Sequence, residues 1–172
     1  MNNDDTQDPY SLPDNDGHPA TFAARVMQHA EHKHLTDNEV TIGWLMRTTP
    51  KVKGGKTTLG SIHDTKTMAQ GGFKDLFTMM LERLLGTVPQ YLVVLDLEFW
   101  STANDTQREA LVWHELAHAR HAVDQYGAQR YDRDGYPVYE LVSHDIEAFR
   151  SEVERFGAWT QDIADFMRAV GK

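Results

Sequence analysis

A strand with no polar side must be covered on both faces, and the stretch from Tyr91 to Trp100 (YLVVLDLEFW) begins as one. It demands neighbouring strands and covering helices, and the rest of the chain offers both. Glu39 to Thr48 (EVTIGWLMRT) is rich in β-branched and aromatic residues and reads as a strand. Pro50 and Gly54-Gly55 mark a turn, after which Thr57 to Thr65 can return as a second strand. Helical spacing recurs from Ala20 to about Leu35 and again from Phe73 to Leu85, where Gly86 is placed to cap. Beyond Trp100 the segment STAND supplies N-cap candidates, and a helix is expected from about Asn104 to Gln125. Gly127 to Tyr139 reads as loop, with no internal repeat, and a last helical region runs from near Ser143 towards Val170 with a break at Gly157. Strands and helices in this order give the α+β class.

Within the helix after the apolar strand lies HELAH, residues 114–118. Histidines four apart project from one face of a helix, one turn apart, so His114 and His118 can meet one cation. Zn²⁺ takes imidazole nitrogens at about 2.0–2.1 Å. Glu115, beside the first histidine, can act as general base towards a zinc-bound water whose pKa is lowered to around 7. The pattern HExxH arises by chance in such a chain about once in forty. The plain alternative is a pair of surface histidines on an amphipathic helix.

Residue spacing leaves the third ligand open among three candidates. Asp124 lies six residues after His118, but the glycine needed to turn the chain towards it is replaced by His121, and a continuing helix would carry it away. His144 and Glu147 stand three apart at the start of the final helix and can share a face. With no cysteine in the chain, thiolate ligands, thiol catalysis and disulfides are all excluded.

HELAH, a loop and then SHDIEAFRSEVERFG resemble the putative phage metallopeptidase family, in which an HExxH helix is followed by an HD-x-E-x-F segment. The likeness runs from about Tyr91 to Gly157, with a looser one to SprT-like and WLM-like proteases. It implies a minimal zincin-like domain: a small mixed or antiparallel sheet packed on the HExxH helix, with a following C-terminal helix. It also implies His144 as third zinc ligand, with Glu147 the alternative, and hydrolysis of a peptide or protein substrate by water activated by Glu115.

Composition bounds the other classes. A net charge of −9 opposes direct nucleic-acid binding, which needs clustered Lys and Arg. It leaves one competing function, a non-catalytic acidic binding or inhibitory protein in which any zinc is structural. Residues 1–19 carry five aspartates and no Lys or Arg, the composition of a flexible acidic tail ahead of a single domain over 20–172. Neither a signal peptide nor a membrane span is expected, so the expected site of action is the cytoplasm, the host's if a phage encodes the chain. His29, His32 and His34 read as a solvated face, Met68, Met79 and Met80 as core filler, and Tyr131, Tyr136 and Tyr139 as packing or rim residues. Gly55-Lys56-Thr57 lacks the leading glycine of a phosphate loop.

Overall fold

The apolar run that opens at Tyr91 begins as one of the two inner strands of a four-stranded sheet in a computed structural model that describes residues 8–69, 71–143 and 150–170. In chain order the elements begin with β1 (Tyr10–Ser11), α1 (Pro19–Val26), α2 (Lys33–Asp37), β2 (Ile42–Arg47) and β3 (Val52–Lys53). Next come β4 (Lys56–Thr57), β5 (Gly60–Asp64), α3 (Thr65–Met68), α4 (Lys74–Leu85), β6 (Tyr91–Asp96) and α5 (Leu97–Thr102). The last are α6 (Asp105–Ala117), β7 (Ala119–His121), β8 (Tyr139–Leu141), α7 (Arg150–Phe156) and α8 (Gln161–Val170). The fold is α+β. Two compact units divide it, one with residues up to Thr21 and Thr41–Asn104, the other with Phe22–Val40 and the described residues from Asp105 on.

In the first unit the strand order is β1-β2-β6-β5. β6 is parallel to β2, with Ile42 opposite Tyr91 and Arg47 opposite Asp96, and antiparallel to β5. All six residues of β6 are buried, as an inner strand requires. Helix α4 covers the face that carries Leu45, Leu92 and Val94, packing Phe77, Leu81 and Leu85 against them. Gly43 permits that approach, because a Cβ there would lie 2.8 Å from both Leu85 Cδ1 and Pro89 Cγ. The outer side of α4 leaves Met79 and Met80 exposed, and Met68 is exposed too, so these methionines are not core filler. Gly54 and Gly55, both at positive φ, turn the β3–β4 hairpin, which disposes of the phosphate-loop likeness.

Another expectation fails in this unit. The strand does not run to Trp100: the Asp96 carboxylate accepts the Phe99 N–H at 3.0 Å and starts α5, while its other oxygen faces Arg47 Nη2 at 3.4 Å. A capping residue in the middle of an apolar run thus divides it into strand and helix. Tyr10 and Ser11, inside the segment whose composition suggested a tail, pair antiparallel with Arg47 and Met46.

The second unit is built around Trp113 of α6. The His32 ring stands perpendicular to it with centroids 4.4 Å apart, Phe156 packs on it at 5.8 Å, and the Arg155 guanidinium lies over it at 5.1 Å. His32 is therefore buried at 2% exposure, not on a solvated face. The first helix stops at Val26 and resumes at Lys33, tightened between by the bonds His29 N–H to Val26 O and His32 N–H to His29 O.

Helix α6 ends at Ala117, eight residues before the expected Gln125. A three-limbed β cluster takes its place. Two octads, DQYGAQRY (124–131) and DRDGYPVY (132–139), make the same turn. In each, the aspartate Oδ1 accepts the N–H groups two and four residues on, and the fourth residue is a glycine at positive φ, +81° at Gly127 and +85° at Gly135. Three residues eight apart then close a ring of backbone hydrogen bonds. Ala122 donates to Val138 at 2.8 Å, Val138 to Arg130 at 2.9 Å, and Arg130 to Ala122 at 2.9 Å. The third limb is the β7–β8 pair, His121 opposite Tyr139. A short repeat is thus present where the composition reads only as loop. Among the described residues no helix is long and apolar enough to cross a membrane.

Candidate metal centre

The two histidines of HELAH sit at the end of α6. His114 is helical, and His118 comes just after the last helical residue, its N–H turned to Glu115 O at 3.3 Å. Their rings stay one turn apart, with centroids 5.2 Å from each other and planes at 80°. The helix stops here because strand pairing takes over: Val142 N–H donates to His118 O at 2.9 Å, just beyond the β7–β8 ladder.

Each ring is held through Nδ1. His118 Nδ1 lies 2.5 Å from the Val142 carbonyl oxygen, and His114 Nδ1 lies 2.8 Å from Glu152 Oε2. A carbonyl oxygen only accepts, so the proton of His118 is on Nδ1 and its Nε2 carries the lone pair. The carboxylate of Glu152 imposes the same arrangement on His114. Glu152 itself is completely buried, and its other oxygen accepts the indole N–H of Trp159.

Glu115 is 3% exposed. Burial pushes its carboxyl up to about 7, the charge of Glu152 adds to the rise, and His114 opposes it. A carboxyl at that point gains and loses a proton near neutrality, as a general acid–base group must.

Of the other candidates, His144 and Glu147 lie outside the described residues. Asp124 is taken up by its turn, accepting the N–H groups of Tyr126 at 2.8 Å and Ala128 at 3.0 Å. It misses the centre because the helix ends, not because the helix continues. Tyr131 donates to Gln129 Oε1 at 3.0 Å and Tyr139 to His34 O at 2.8 Å, while Tyr136 is exposed. Among the described residues no group of three or more His, Cys, Asp or Glu is arranged to hold a metal.

Glu152 and Trp159 were not among the residues the sequence singled out. A signal was there: Glu152 falls on the stripe Phe149, Glu152, Val153 and Phe156, a carboxylate at a position the helical period gives to the core. An acid there calls for a buried donor.

No curated protein and no solved structure gives a significant match to this sequence. The profile of one family does match, over residues 18–171, a span that includes both histidines, Glu115 and Glu152. The chain belongs to the putative phage metallopeptidase family.

Proposed function

We propose that the protein is a zinc metallopeptidase in which His114 and His118 ligate Zn²⁺ through Nε2, His144 is the third ligand and Glu115 is the general base. One observation carries this reading: both imidazoles give Nδ1 to a fixed acceptor, the arrangement that turns Nε2 lone pairs towards a shared cation. The donor chemistry suits zinc, since two imidazoles and no cysteine make a nitrogen-rich site. His144 fits as third ligand because it comes two residues after Val142, the residue whose carbonyl steadies His118. Glu147 is the alternative from the same segment.

Bound zinc would supply the Lewis acidity that polarises the scissile carbonyl and acidifies water. The protein supplies the proton traffic. Glu115, desolvated by burial, takes the proton of the attacking water on its carboxylate and passes it to the departing amine. Peptides or proteins are the substrates, in keeping with the family.

The test is Glu115→Gln, with zinc content measured by elemental analysis and cleavage on a mixed peptide library. The variant should keep one zinc per chain and lose about 10²–10⁴-fold in rate. A parent protein that takes up no zinc from a supplemented buffer would end the proposal. His144→Ala and Glu147→Ala, assayed for zinc, separate the two candidates for third ligand.

A further inference from the structure

We infer that Glu152 and Trp159 form a positioning pair for His114, in which one carboxylate accepts from two opposed donors. This rests on the reading of His114 as a zinc ligand. The chain builds the pair through Gly157, whose φ of +65° ends α7. Gly157 N–H donates to Val153 O at 2.9 Å, and Trp159 N–H returns to Gly157 O at 3.1 Å. The chain so reversed brings the Trp159 indole seven residues back onto Glu152, with its ring 6.3 Å from that of His114. The break at Gly157 is therefore what lets one side chain stand behind another.

The chemistry of the two donors requires a carboxylate. Trp159 Nε1 can only donate, and it occupies Oε1. His114 must keep its proton on Nδ1, facing Oε2, if Nε2 is to bind a cation. An amide in place of the carboxylate offers one acceptor and one donor. If its oxygen turns to His114, its NH₂ faces the indole N–H, donor against donor. If its oxygen turns to Trp159, its NH₂ faces Nδ1 and drives the ring proton to Nε2, the ligating atom. Neither orientation satisfies both partners. Trp159 thus makes glutamate obligatory at a position where glutamine has nearly the same shape.

This logic gives a pattern across variants that loss of packing would not reproduce. Zinc affinity is read by competition with a chelator, so no activity is needed. Glu152→Gln should weaken zinc binding about 10–100-fold. Trp159→Phe, which removes the N–H together with part of the ring, should change it by less than about threefold, since Glu152 still holds His114. The double variant Glu152→Gln/Trp159→Phe should bind zinc at least about threefold better than Glu152→Gln alone, because the amide oxygen can now turn to His114. In metal-free protein, proton NMR should show a downfield, hydrogen-bonded His114 Nδ1–H in the parent and in Trp159→Phe, and should lose it in Glu152→Gln. That resonance is independent of whether zinc binds, so an absent zinc site and an absent positioning pair give different results. Undiminished zinc affinity in Glu152→Gln would overturn the inference, as would a double variant no better than the single one, or a parent without the Nδ1–H signal.

Discussion

His32 and Glu152 are both buried polar side chains, and they resolve burial in opposite ways. Glu152 engages two donors, one at each carboxylate oxygen. His32 gives its charge up: neither ring nitrogen has a hydrogen-bond partner among the described residues, and its pKa is lowered to about 3. Burial is the largest cause, followed by the positive groups that face it, His34, His29, Arg120 and Arg155. Because the folded value lies below the ordinary 6.5, neutral His32 contributes stability that is complete above pH 6.5 and is lost as pH falls towards 3. The loss per pH unit has a ceiling of about 1.4 kcal/mol. Thermal melts between pH 7 and pH 4 should therefore fall more steeply for the parent than for His32→Phe, which keeps the contact with Trp113 and cannot take a proton. Equal slopes would mean that His32 is reached by water.

At the scale of elements, the glycines act for different reasons. Gly127 and Gly135 hold positive φ in open space, with no atom within 4 Å of an added Cβ. Gly127→Ala and Gly135→Ala should each cost about 1 kcal/mol in urea unfolding, from backbone strain alone. The two losses should add if the octad turns are independent. Gly43→Ala acts instead through contact with Leu85 and Pro89, whose side chains must shift to admit it. Legibility in the sequence obeys the same division between local and distant causes. The strand at Tyr91, the helix at Phe73 with its Gly86 cap and the break at Gly157 depend on nearby residues, and all were legible. The end of α6 was not, because nothing local stops a helix between His118 and Val123 and the cause is the return of residues 137–142. The spacing of His114 and His118 was legible, whereas their acceptors, Glu152 and Val142, come from distant parts of the chain.

For the molecule as a whole, a ligand that binds only the folded state raises stability by mass action. Zinc at a hundred times its dissociation constant should add about 2.7 kcal/mol, and a chelator should reverse the resulting rise in Tm. Hydrogen exchange should place the added protection in residues 105–118 and 150–159, and uniform protection elsewhere would argue for a different site. The net charge of −9 sets a second expectation, a strong preference of any partner for neutral or basic segments over acidic ones. Peptide libraries graded by charge can measure it.

The ring that joins Ala122, Val138 and Arg130 has a consequence for how the chain can change. Residues 119–141 make a round trip, leaving from His118 and returning to its neighbour Val142. The journey is closed by main-chain atoms, so the two outward tips are spurs whose length does not enter the separation of the ends. A foreign peptide grafted between Arg133 and Asp134 should leave the hold on His118 intact. Removal of a whole octad would open the circuit and set the two ends adrift.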